Sequence, residues 1–183
     1  FGENNKNFRI DDKIIYYNKS DIKNDFLDIY LLSKCRYLIG DSSGMSLVPL
    51  IFRKKIMFSN ISEIHSLYTK DSIYYPLILL KKFKSLKTGK YITYSQVLEN
   101  KLSKIEHVDD LNKLGYEVED NSEEEILNAC EEMEYYTDKK DYLNRDDRLQ
   151  DKFNKILLKY NGYKLKHSKI SYSFLKKNIN LID

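Results

Sequence analysis

With 183 residues, a formal net charge of +3 and 32% charged residues, the chain can bury one proper core and does not demand an anionic partner. No run approaches the ~20 apolar residues of a membrane-spanning helix, no basic stripe interleaved with aromatics marks a nucleic-acid surface, and His65, His107 and His167 stand apart without Cys or His neighbours, which gives a metal site no support. Cys35 and Cys130 read as buried free thiols of a reducing compartment, hence the cytoplasm.

The opening Phe1-Gly-Glu-Asn-Asn5 reads as the interior of a longer polypeptide rather than a secretion leader, and residues 1–12 are polar enough to predict loop or frayed terminus. Lys13-Ile-Ile-Tyr-Tyr17 predicts a strand from its β-branched and aromatic content. Asp25 stands where a cap belongs, and Phe26, Ile29, Tyr30, Leu32 and Ser33 recur at helical spacing, predicting an amphipathic helix over 25–34. The short apolar run 37–39 suits a buried parallel strand, the polar turn 40–44 follows, and the apolar run 45–52 suits a helix. Pro49 either kinks that helix or opens it late after a longer loop, and both readings stand. Residues 55–59 predict a further strand, which right-handed crossovers would place in the same parallel sheet.

Residues 61–75 show no period and read as a long loop over the carboxyl edge of the sheet. Residues 76–83 turn from apolar to basic, Thr88-Gly89 reads as a turn, and Thr93 caps a short helix over 94–100. A helical turn over 109–114 is stopped by Gly115. Ser122 and Glu125 form a capping box for a helix over 123–137, with Ile126, Leu127, Cys130, Met133 and Thr137 as its apolar face. Leu149, Phe153, Ile156, Leu157 and Tyr160 mark another helix, ended by Asn161-Gly162, and residues 171–178 predict a short one whose Phe174 and Leu175 dock on the body. The pattern predicts an α/β, Rossmann-like three-layer domain with a parallel sheet: an α/β core over 13–100 and a mainly helical part over 109–183. Lys81, Lys82, Lys84, Lys87 and Lys90 fall together, and residues 117–134 are strongly acidic; both runs read as solvated faces.

The strand, turn and helix around residue 40 are the candidate site. In open α/β sheets ligands bind beyond the carboxyl ends of strands. The small residues Ser42, Ser43 and Gly44 would admit a phosphate to the backbone, with two hydroxyls to add hydrogen bonds. The same residues also suit a plain turn with Ser42 or Ser43 as N-cap. A P-loop is excluded because no Gly-Lys-Ser/Thr follows the glycines, and the Gly-x-Ser-x-Gly elbow of a serine hydrolase is absent. Glu63 and His65 form the only acid/base pair near the turn, although a lone loop histidine is ordinarily surface.

The string Asp25-Phe-Leu-Asp-Ile-Tyr-Leu-Leu-Ser-Lys-Cys-Arg-Tyr-Leu-Ile-Gly-Asp-Ser-Ser-Gly-Met-Ser-Leu-Val-Pro-Leu-Ile-Phe52 resembles a family of bacterial proteins regarded as glycosyltransferases and encoded with surface-polysaccharide genes. Gly89-Lys-Tyr-Ile-Thr-Tyr-Ser-Gln-Val-Leu98 and Ser171-Tyr-Ser-Phe-Leu-Lys-Lys-Asn178 add to the likeness, which covers most of 13–98 and a short tail. The resemblance implies the carboxyl-terminal, donor-binding half of a two-domain GT-B enzyme. Ser42, Ser43 and Gly44 would hold the diphosphate of a nucleotide sugar without a metal or other cofactor, and residues 60–68 would face its base or sugar. A glycan or lipid-linked acceptor, and the usual catalytic base, would come with the other domain, so this chain alone would be inert; peripheral membrane contact stays open. Two other readings remain: a non-catalytic module docking its basic segment 81–90 on an acidic protein or anionic lipid, and a sugar-nucleotide epimerase.

Overall fold

The computed structural model describes residues 13–138 and 147–183, so the stretch 1–12 lies outside the described residues. Four parallel strands form one sheet in the order β1 (Tyr37–Gly40), β2 (Lys55–Ile61), β3 (Leu77–Leu80) and β6 (Lys169–Ile170). Tyr37 pairs with Lys55, Met57 with Leu77, and Ile78 with Ile170. All four residues of β3 are fully buried, which requires cover on both faces and explains why this strand reads as an unbroken apolar run. The domain is thus α/β and Rossmann-like, with helices flanking a parallel sheet in three layers.

The mainly helical carboxyl-terminal part is built into the same body. It supplies β6 to the sheet, and helix α5 (Glu123–Asp138) packs against β2 and β3. The capping box at its start is formed as expected: Glu125 N–H donates to Ser122 Oγ at 3.2 Å, and Ser122 N–H to Glu125 Oε2 at 2.9 Å. Its buried face, however, runs through Glu125, Ala129, Met133 and Tyr136, while Leu127 is exposed, because the sheet sits one residue around the helix from the expected stripe. Helix α6 (Arg148–Asn161) ends at Gly162, whose φ of +75° is left-handed, and meets α3 (Tyr94–Glu99) through an edge contact of Phe153 with Tyr94 at 5.8 Å. Helix α7 (Tyr172–Lys177) packs on α5 and α6 with Phe174 and Leu175 each 1% exposed. Glu132 of α5 closes its start, accepting from the N–H groups of Tyr172 at 3.0 Å and Ser173 at 2.7 Å.

Two amino-terminal expectations are overturned. Residues 13–17 make no strand; Ile14 and Ile15 are exposed, and a 3-10 turn (Tyr17–Lys19) follows. Propensity without a neighbouring strand to pair with does not make a strand. Helix α1 (Asp25–Lys34) forms, but its cap is Asn24, whose side chain accepts from Leu27 N–H at 2.9 Å. Of its apolar residues only Leu32 is buried, and Phe26 is 76% exposed.

The charge runs at 81–90 and 117–134 do more than face solvent. An antiparallel ribbon of β4 (Lys82–Ser85) and β5 (Tyr116–Glu119), the latter following α4 (Val108–Lys113), sets them opposite each other. Lys81 pairs with Asp120 at 2.8 Å, Lys82 with Glu119 at 2.9 Å and Glu125 at 3.2 Å, and Lys84 with Glu117 at 3.0 Å. A basic docking segment is therefore largely neutralised from within the chain.

Candidate functional site

Strand β1 delivers the Asp41 to Gly44 turn to the carboxyl edge of the sheet. Glycine is required at position 40 by close approach: a Cβ there would lie 2.9 Å from Ser46 Oγ. That hydroxyl, nearly fully buried, donates to the Asp41 carbonyl at 2.7 Å and folds the 3-10 turn Gly44–Leu47 back over the strand end. Helix α2 (Val48–Ile51) then carries Pro49 in its first turn, where a missing N–H costs nothing, so of the two readings of Pro49 the late start holds. Ser43 precedes the 3-10 turn, yet its side chain makes no capping bond; its Oγ lies 3.4 Å from Ser46 Oγ. The Ser43 N–H is already held by Asp41 Oδ1 at 3.0 Å. The Ser42 hydroxyl has no partner among the described residues, and a Cβ on Gly44 would meet nothing within 4 Å.

These three residues form one wall of a cavity of about 240 Å³. Phe58 of β2 and Tyr75, just before β3, line it with their rings 4.9 Å apart. Burial pushes the Tyr75 phenol up, so it stays a neutral donor, and its hydroxyl has no partner among the described residues.

The same cavity is lined by Lys70, which ends the 3-10 segment Ile64–Lys70. This segment replaces the expected unstructured loop and is pinned by Ile64 and Leu67, both fully buried. Asp71 fixes its end from the other side, its carboxylate accepting the N–H groups of Lys166, His167 and Ser168 at 2.7 to 3.1 Å. The Lys70 carbonyl accepts from Ser168 Oγ at 2.5 Å. With backbone and neighbour so held, the Lys70 side chain packs over Phe58, Nζ 5.8 Å from the ring centroid. Lys70 is 8% exposed, and no carboxylate or hydrogen-bond acceptor engages its Nζ among the described residues.

The acid/base candidates are placed differently. His65 Nδ1 lies 2.8 Å from the Ser103 carbonyl, a bond that needs the proton on Nδ1 and commits the ring to the turn Leu102–Lys104. Glu63 keeps a buried Oε2 without a hydrogen-bond partner among the described residues. Neither residue lines the cavity. Of the segment 60–68, Asn60 serves the fold: in the left-handed region at φ +57°, it exchanges two bonds with Asn121, at 2.8 and 2.7 Å. The cavity takes Thr69 and Lys70 instead, just past that segment.

Ser42, Ser43 and Gly44, singled out from the sequence, line this cavity together with Lys70, Phe58 and Tyr75, which the sequence did not single out. A lysine in a stretch without period reads as surface, and only the tertiary placement of 64–70 shows otherwise. Among the described residues no group of His, Cys, Asp and Glu could hold a metal ion, and no helix is long and apolar enough to cross a membrane. Compared with protein-family models, with curated proteins and with solved structures, the chain matches none.

Proposed function

We propose that this chain is the nucleotide-sugar-binding domain of a glycosyltransferase of surface-polysaccharide or glycan synthesis. The observation that carries the reading is the cavity that begins at the carboxyl end of β1 and runs along β2 at Phe58, lined by Ser42, Ser43 and Gly44 and by a largely buried lysine. The carboxyl end of a strand is where open α/β sheets bind ligands, and the cavity's hydroxyls, phenol and ammonium suit phosphate oxygens. The resemblance of segments 25–52, 89–98 and 171–178 to the polysaccharide-locus family supplies the donor class. Acceptor and catalytic base belong to another domain in this reading, so Glu63 and His65 have no part in the cavity's chemistry.

The test is a titration of ¹⁵N-labelled protein with UDP, GDP and CMP. One of them is expected to shift the Ser42 to Gly44 amides saturably. Gly44→Val should abolish those shifts while leaving the fold intact, because the added side chain enters open space. Absence of a saturable shift with all three nucleotides would refute the reading.

A further inference from the structure

We infer that the cavity is a phosphoryl-anion site in which Lys70 supplies the charge, and that it seats phosphate groups while leaving the nucleoside outside. The inference uses the cavity of the preceding reading but does not depend on the ligand being a sugar nucleotide. An ammonium drawn partly out of water is destabilised unless an anion or acceptors compensate it. Lys70 is 8% exposed and has no carboxylate partner among the described residues, and none of the residues lining the cavity is acidic. The nearest carboxylate in sequence, Asp71, is turned to the amides of 166–168, and Asp41 holds the Ser43 N–H. The lysine is thus largely buried, its ammonium keeps some solvent contact, and among the described residues the fold supplies it no counter-charge.

The cation over the Phe58 ring lies near the outer limit of a cation–π contact, about 6 Å, and such a contact offsets only part of the burial cost. The same cavity is lined by hydroxyl-bearing residues, Ser42, Ser43 and Tyr75. A positive charge and hydroxyls in one cavity match an oxyanion and discriminate against neutral ligands. Size narrows the choice: at about 240 Å³ the space is smaller than the ~300 to 1,000 Å³ of sites that enclose a whole drug-sized molecule. A phosphate or diphosphate group fits; a nucleoside with its phosphates does not.

Calorimetric and NMR titration with inorganic pyrophosphate, uridine and UDP tests the proposal on the parent chain, Lys70→Met and Lys70→Arg. Pyrophosphate is expected to bind the parent and shift the cavity amides, with affinity falling about tenfold or more in Lys70→Met and partly kept in Lys70→Arg. Uridine should leave those amides unmoved. Pyrophosphate binding without UDP binding would keep the anion site and sink the sugar-nucleotide reading. The proposal is overturned if pyrophosphate shifts no cavity amide, if Lys70→Met binds it as the parent does, or if uridine alone occupies the cavity. Stability separates a packing role: without ligand, Lys70→Met should melt no lower than the parent, because it removes an uncompensated charge. A lower melting temperature would make Lys70 a packing residue and overturn the proposal as well.

Discussion

Two lysines of this chain are buried to nearly the same degree, Lys70 at 8% and Lys82 at 7% exposure, and their surroundings are opposite. Lys82 sits in a closed corner formed by the β4–β5 ribbon, α5 and α7. Glu119 and Glu125 both reach it, and Glu125 is further held by the Ser122 N–H and by Asn178 Nδ2 at 3.2 Å. Lys70 packs over Phe58 and lines a cavity that has no acid among its walls. The difference teaches that burial of a charge has two meanings. Where the chain supplies the counter-charge the lysine belongs to the fold; where the described residues supply none, the ammonium keeps only its remaining water and stays available to an incoming anion.

The comparison can be broken most forcefully at the closed corner. Phe174→Ala removes a fully buried ring from α7 and should cost about 4 kcal/mol in urea unfolding. An unchanged midpoint would show that α7 is not part of the corner. Lys82→Met leaves Glu125, 2% exposed, without its cation, and should cost about 3 kcal/mol. Equal stability to the parent would erase the contrast between the two lysines. Asp71→Ala releases the loop 166–168 from the end of the Lys70 segment; three charge-assisted backbone bonds at a partly exposed site point to about 2 kcal/mol, read by the same method.

A pH series sharpens the contrast with a smaller effect. Burial raises the Glu125 carboxyl, but the Ser122 N–H, Asn178 and Lys82 outweigh it and hold the group below the usual glutamate range; the Tyr91 hydroxyl and Lys82 lower Glu119. A carboxyl depressed in the folded state adds stability above its unfolded value and loses it as pH falls through its folded one. Parent stability should therefore fall below the usual glutamate range, and Lys82→Met should show a shallower acid decline. Lys82 itself is raised: burial lowers it, and the two glutamates more than reverse this, so its share is lost only as pH rises past the ordinary lysine range.

The closed corner was legible only in part. Ser122 and Glu125 stand at capping-box spacing and announce α5, whereas the β4–β5 ribbon read as two solvated charge runs, because its pairing is tertiary. The turn at Ser42 to Gly44 was legible as a polar break between two apolar runs. Three further features were not. Strand β3 is four apolar residues buried on both faces, which no alternation betrays. The two-residue β6 is defined by its neighbour alone. Lys70 owes its burial to Asp71 reaching 95 to 97 residues along the chain. Conversely, residues 13–17 carry strong β propensity and form no strand, since pairing is a tertiary event.

The most direct test of the contrast is urea denaturation of the parent and Lys70→Met with and without saturating pyrophosphate. A ligand that binds only the folded state stabilises it, by about 2.7 kcal/mol at a hundredfold excess over Kd. The account expects that gain in the parent, little or none in Lys70→Met, and a ligand-free Lys70→Met at least as stable as the parent. Equal stabilisation of both proteins by pyrophosphate, or a ligand-free Lys70→Met as weakened as Lys82→Met, would contradict it.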